Sequence, residues 1–320
     1  MQPPLPRIIV LLIGLLFATT LHAQRLPLPP AGESVIGENY LYWSGAGEDL
    51  FDIAYTRNLG YEELTAANRE VNPLSPGEDT RLNIPTRFIL PDAPRSGVVI
   101  NLAEPRLYFY PRGSSEVITY PLGIGREGWS TPLGQTRITR KTEGPNWYPP
   151  ESIRRKAERE GNPLPPIVEA GPDNPLGSHA LYLGLPSYLI HGTNKERGWG
   201  VGRRVSHGCI RLYPEDIASL YHEVPINTTV LIVDQPYKAG WLDGHLYLEI
   251  QPPLIDLEED PLFQEGRLIE SLIDHEINLT KIMRVILNAI GEQNPVIDWE
   301  KVLRMAKEQT GIVERITVFE

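Results

Sequence analysis

The only cysteine of the chain, Cys209, stands in the run Ser206-His207-Gly208-Cys209-Ile210-Arg211, and a second histidine, His191, precedes Ser206 with fourteen residues between them. A thiolate is a strong nucleophile, but a free thiol with a pKa of about 8.5 is mostly protonated near neutral pH. An imidazole within hydrogen-bond reach can take that proton and later return it to a leaving amine. His207 is two residues from Cys209, so on an extended segment both side chains face one side. His191, at the end of the apolar run Tyr188–His191, has to be brought in by folding. Gly192, Gly200, Gly202 and Gly208 permit tight turns and let backbone N–H groups point at a developing oxyanion. Taken alone, these residues leave three readings open: nucleophilic catalysis, three legs of a zinc site, or a buried structural thiol with structural histidines. The close His-Gly-Cys spacing and the lack of a suitably spaced carboxylate stand against zinc.

The rest of the chain has to position these groups. It has 320 residues, room for about two domains. With 41 acidic against 30 basic side chains, its formal charge of −11 argues against nucleic acid and anionic membrane surfaces as partners. One cysteine excludes a disulfide framework and any cysteine-rich metal cluster. Arg7, the apolar run Ile8–Ala18, and Leu-His-Ala at 21–23 read as a signal peptide over 1–23, cleaved near Ala23. The run is short for a membrane span, so export without a stable membrane anchor is expected. An exported protein with one unpaired thiol singles out Cys209 again.

Residues 24–38, rich in proline, read as a linker. Residues 39–86 read as a small βααβ unit, with helices opening at Gly47-Glu48-Asp49-Leu50 and over Tyr61–Asn68, and a closing strand Arg81–Pro85. Residues 97–235 are rich in strands. They are broken by an excursion over 141–177 that carries Trp147, a charged helix (Glu151–Glu160) and a Gly/Pro-rich run; such an excursion reads as a lid or binding loop. Residues 236–320 read as a largely helical extension, with helices expected over Pro261–Ile290 and after Asp298, and a closing strand in Ile312–Phe319.

Two resemblances sharpen this reading. The unit at 39–86, with Gly47-Glu48-Asp49-Leu50, Asn68 or Asn72, and Leu82-Asn83-Ile84-Pro85, resembles a LysM domain, a glycan-binding module of wall proteins. His191, the fourteen intervening residues and Ser206-His207-Gly208-Cys209 resemble the motif of the L,D-transpeptidase (YkuD) family, in particular its ErfK/YbiS/YcfS/YnhG-like periplasmic subgroup. Gly123-Ile124-Gly125 and Thr131-Pro132-Leu133-Gly134 fit the same domain. Arg211 stands where the general motif has asparagine, as is common in this subgroup.

The resemblance implies a mainly β protein with a YkuD-like β-sandwich catalytic domain. It implies that Cys209 attacks the carbonyl of the L-centre of meso-diaminopimelate in a tetrapeptide stem of peptidoglycan and releases D-Ala. The thioester then passes to an amine, of another stem (a 3–3 cross-link) or of a lysine on an outer-membrane lipoprotein, and no cofactor or metal takes part. His191 would be the base, its ring held by the Gly192 carbonyl, with His207, Gly208 and Cys209 around the oxyanion and Ser206 supporting the loop. A hydrolytic enzyme using the same thioester and a non-enzymatic wall-binding protein are the competing readings. Residues 195–211 carry Lys195, Arg197, Arg203, Arg204 and Arg211 against Glu196 alone. Such a basic rim could orient the donor's carboxylates. The expectation is therefore that Arg203 or Arg204, with Arg211, meets the donor and that Trp147 lies in a mobile lid over the site.

Overall fold

The computed structural model describes residues 23–126, 129, 131–195, 198–253 and 278–318. The expected signal peptide, apart from Ala23, and most of the helix expected over Pro261–Ile290 lie outside the described residues.

The run Arg106-Leu107-Tyr108-Phe109-Tyr110 is a strand buried at every position. Because side chains alternate across a strand, it feeds two cores. Leu107 and Phe109 join one apolar cluster, Tyr108 and Tyr110 another. This strand belongs to a sheet of nine strands. In spatial order they are Gln24–Pro27, Glu116–Pro121, Arg106–Tyr110, Gly97–Asn101, Thr229–Val233, Gly134–Glu143, His179–Leu183, Leu189–His191 and Ile210–Arg211. The long strand Gly134–Glu143 is the pivot. Its first half pairs with Thr229–Val233 and its second with His179–Leu183, with an irregular register between Ile138 and Arg140. Such a bulge bends a strand and increases its twist. The sheet therefore curls, and Ile100, Leu107 and Ile118 from one half meet Leu181, Ile190 and Ile210 from the other, with Ile217 and Leu220 of the helix Pro214–Glu223. The layered β core expected for residues 97–235 is this one curled sheet.

The linker reading of 24–38 is corrected. Gln24–Pro27 is the edge strand of the large sheet, paired antiparallel with Glu116–Thr119, and Val35–Gly37 pairs with Arg87–Ile89. Prolines are tolerated there because an edge strand has one unpaired side.

The small unit has the βααβ order. Tyr40–Trp43 pairs with Arg81–Ile84, and the helices Leu50–Thr56 and Tyr61–Ala66 close over Leu50, Ile53, Leu64, Leu82 and Ile84. Asp49 caps the first helix by accepting the Asp52 N–H at 2.8 Å. The unit docks firmly on the large sheet. Glu63 accepts from buried Arg106 at 2.5 Å, and the Tyr213 hydroxyl donates to the Leu59 carbonyl at 2.9 Å. Gly202, at φ +73°, lies so close to the unit that an added Cβ would sit 2.3 Å from the Gly60 Cα.

The C-terminal part carries the helices expected of it, packed on a strand layer. A hairpin, Tyr237–Leu242 with His245–Ile250, carries the helices Leu279–Ile290 and Trp299–Glu308 on one face. Asp298 caps the second helix by accepting the Lys301 N–H at 3.0 Å, and the closing strand is reduced to Glu314–Arg315. Lys238 of the hairpin is buried between Glu104 at 2.5 Å and Glu249 at 3.0 Å, which ties this layer to the large sheet.

Candidate active site

The parallel pairing of Leu189–His191 with Ile210–Arg211 sets His191 opposite Arg211. Partners in register share a face of the sheet, and residues two apart on a strand share it too. Cys209, two residues before Arg211, therefore falls on the face that carries His191, opposite Leu189 and one diagonal step away. The Leu212 N–H donates to the His191 carbonyl at 2.9 Å and fixes this register.

His191 is buried, with Nδ1 2.6 Å from the Gly192 carbonyl oxygen. A carbonyl only accepts, so Nδ1 carries the proton and Nε2 is left as the basic nitrogen. Burial, helped by the nearby Arg211 guanidinium, pulls the imidazole down to about 3, so it is neutral around pH 7. The Cys209 thiol is half-buried at the end of the Ser187–Leu189 turn, its Sγ 3.6 Å from the Ser187 carbonyl oxygen. Burial pushes the thiol above its usual range, while the Leu189 N–H and Arg211 pull it back. At rest the pair is a thiol and a neutral imidazole.

The turn before Cys209 is stapled by Ser206. Its Oγ accepts from the Gly208 N–H at 3.1 Å and donates to the Cys209 carbonyl at 2.5 Å. Thr131 Oγ1 adds a bond to the Gly208 carbonyl at 2.8 Å. The supporting role expected of Ser206 matches this geometry, but the Gly208 N–H is taken up by Ser206 and does not face an oxyanion. Gly208 adopts φ +101°, and a Cβ there would meet the Tyr188 ring at 2.8 Å, so only glycine fits.

His207 leaves the Cys209 side. Its Nε2 lies 3.1 Å from Arg126, and its ring packs edge-on against Trp129 at 5.0 Å. A guanidinium only donates, so this Nε2 accepts and the neutral ring carries its proton on Nδ1. The basic rim is dispersed. Arg203 is buried, its guanidinium 5.5 Å from the Phe51 ring, 4.9 Å from Tyr61 and 5.6 Å from Trp199, at the seam with the small unit. It cannot meet a donor there. Aromatic faces attract its charge, and the nearest rings come from a distant part of the chain. Arg204 donates from Nε to the Gly125 carbonyl at 3.3 Å, and Arg211 donates to the Trp199 carbonyl at 3.4 Å. Trp147 lies in the excursion, paired with Val168 by two backbone hydrogen bonds of 2.8 and 2.9 Å. The buried Asn174 amide ties the same excursion to the carbonyls of Pro145, Val168 and Glu169. These bonds brace the excursion internally, and Trp147 is not among the described residues that line the cleft beside the site.

That cleft, about 590 Å³, opens between the excursion's helix Glu151–Arg159 and the turn carrying Arg126, Trp129 and His207. Sequence reasoning missed Arg126 and Trp129. The signal was their place directly after Gly123-Ile124-Gly125, whose backbone runs beside the Cys209 turn: the Ile124 N–H donates to the Arg203 carbonyl at 3.0 Å and the Arg126 N–H to the Ser206 carbonyl at 3.1 Å.

Comparison with known proteins agrees with this assembly. The L,D-transpeptidase catalytic domain family (YkuD) matches residues 95–232. The chain is 43% identical over 286 residues to the probable L,D-transpeptidase YbiS of Escherichia coli, which covers 88% of this chain and 90% of that protein. It is 42% identical over 246 residues to the probable L,D-transpeptidase YcfS of the same organism, covering 75% of this chain and 76% of that one. The probable L,D-transpeptidase ErfK/SrfK of Escherichia coli is likewise 42% identical over 246 residues, with 75% and 78% covered. A thiol and an oriented imidazole on one face of a curled sheet, in a sequence this similar to those proteins over most of its length, place the chain in the L,D-transpeptidase family.

Proposed function

We propose that this protein is an exported cysteine acyltransferase of the cell wall. Cys209 attacks the L-centre carbonyl of meso-diaminopimelate in a tetrapeptide stem, and the thiol proton passes to Nε2 of His191. As the peptide bond breaks, His191 returns the proton to the departing D-Ala amine, leaving a thioester on Cys209. An acceptor amine, on another stem or on a lipoprotein lysine, attacks the thioester, gives its proton to His191, and frees the thiol. The oxyanion is met by the backbone N–H of Cys209, since that of Gly208 is held by Ser206. No cofactor enters these steps. The small βααβ unit serves as a LysM-like wall contact, and the reaction takes place in the periplasm.

The observation that carries this reading is the parallel register that sets Cys209 on the face of His191, together with the Gly192 carbonyl that leaves Nε2 as the base. The neutral resting pair suits a nucleophile that must survive unpaired outside the cytoplasm, because a thiol is oxidised more slowly than a thiolate. Intact-protein mass spectrometry with a disaccharide-tetrapeptide tests it, with Cys209→Ala beside the unaltered chain. An adduct of donor mass lacking D-Ala, formed on the cysteine protein alone, is expected, and added acceptor amine should discharge it as a transfer product. No adduct on a demonstrably reduced thiol would overturn the reading.

A further inference from the structure

The cleft beside the Cys209 turn carries a charge opposite to that of the whole chain. Arg126 lines one wall; Lys156 and Arg159 of the Glu151–Arg159 helix line the other, with Glu160 as the one acidic lining group among the described residues. The helix has no buried residue, so no core dictates which face it turns inward. Lys156 and Arg159 nonetheless lie about one turn apart on the cleft side with Ile153. Arg155, on the same helix but not lining the cleft, is neutralised by Glu151 at 2.5 Å. Lys156 is only 3.9 Å from Glu160, a loose contact in solvent. Trp129 and Ile153 give the cleft two apolar surfaces between the cations. His207, two residues from Cys209 in sequence, lines the cleft beside Arg126 and Trp129.

We infer that this cleft is a carboxylate-recognition site for the donor peptide: Lys156 and Arg159 on one wall and Arg126 on the other bind the free carboxylates at the stem's end, while Trp129 and Ile153 pack on its aliphatic carbons. This rests on the transpeptidase reading above and goes beyond it by naming the groups that select a carboxylate-bearing donor. It moves recognition from the 195–211 loop to the helix of the excursion. Arg126 also reads out occupancy, because its guanidinium is shared with Nε2 of His207.

The test measures acylation of Cys209 in the full chain with a disaccharide-tetrapeptide, and with the same donor amidated at its terminal carboxylate. Lys156→Gln/Arg159→Gln and the charge-reversed Lys156→Glu/Arg159→Glu are compared with Arg155→Gln, which lies off the cleft. Both pairs replace solvent-exposed side chains, and Cys209 alkylation by neutral iodoacetamide reports whether the nucleophile is intact. Losing charge-assisted hydrogen bonds should raise the donor KM about tenfold or more in the Gln pair and further in the Glu pair. The maximal acylation rate and iodoacetamide alkylation should be unchanged, and the amidated donor should show a much smaller difference between variants. An unchanged KM with intact acylation overturns the cleft assignment while leaving the transpeptidase reading standing. A defect confined to discharge by the acceptor amine also overturns it, because the cleft would then hold the acceptor. Absence of acylation in the unaltered protein would instead defeat the transpeptidase reading itself.

Discussion

Replacing Asp216 with asparagine should stabilise the protein at alkaline pH and change little under acid conditions. Asp216 sits in the first turn of Pro214–Glu223 and is 1% exposed. Both its oxygens accept from Asn58 Nδ2, at 2.9 and 2.7 Å, across the seam to the small unit. Burial pushes its carboxyl up to about 7 from 3.8; neighbouring Glu215 adds to the rise, and the Asn58 bonds oppose it. A carboxyl whose folded pKa lies above its unfolded value keeps its proton better when folded. Its contribution to stability is fully present below about pH 4 and is lost as pH rises through about 7. Three units at 1.36 kcal/mol each set a ceiling of about 4 kcal/mol on the cost of ionising it. Asparagine has the same shape and no charge. Its amide can also donate to Asn58 Oδ1, which is buried and unbonded among the described residues. Urea unfolding followed by tryptophan fluorescence from pH 4.5 to 9 should show Asp216→Asn gaining about 2–4 kcal/mol at pH 8–9. The gain should shrink steadily below pH 7. The competing effect is the positive N-terminal end of the helix, which favours a carboxylate there by about 0.3–1 kcal/mol. A variant less stable than its parent at pH 8, or a difference that does not vary with pH, would refute the reasoning and show that the helix end wins.

Two further outcomes follow from the same structure. The half-buried Cys209 thiol lies above its usual range and His191 is neutral down to about 3, so alkylation of Cys209 should accelerate about tenfold per pH unit from pH 6 to 9, in proportion to the thiolate present; a plateau between pH 6 and 8 would reveal a preformed thiolate–imidazolium pair. Lys238→Ala should destabilise the protein by about 3–5 kcal/mol, because Glu104 and Glu249 would be left buried without their ammonium partner; a loss below 1 kcal/mol in urea unfolding would show that this cluster does not hold the C-terminal layer.

What the sequence determined by itself is what depends on near neighbours. The helix opening at Gly47-Glu48-Asp49-Leu50, the charged helix after Trp147 and the helix after Asp298 were legible, because a helix end is chosen by residues a few positions apart. Cys209 and His191 were legible as residue types and spacing, but their shared face was not. His191 reaches the face of Cys209 only through a parallel pairing of two short strands, and no local pattern encodes that register. The same limit explains the corrections. The prolines at 26–30 looked like a linker because the Glu116–Thr119 edge they pair with is some ninety residues away. Arg203 looked like part of a substrate rim, but its long side chain turns to Phe51 and Tyr61, which only docking of the small unit brings there. The positive groups lining the cleft, Arg126, Lys156 and Arg159, come from outside that loop, while Arg211 is the cation that acts on His191 and Cys209. Segments far apart in sequence meet at that cleft: Arg126 follows the strand beside the Cys209 turn, while Lys156 and Arg159 come from the helix of the excursion. Short-range chemistry chose the elements; long-range packing decided which of them meet.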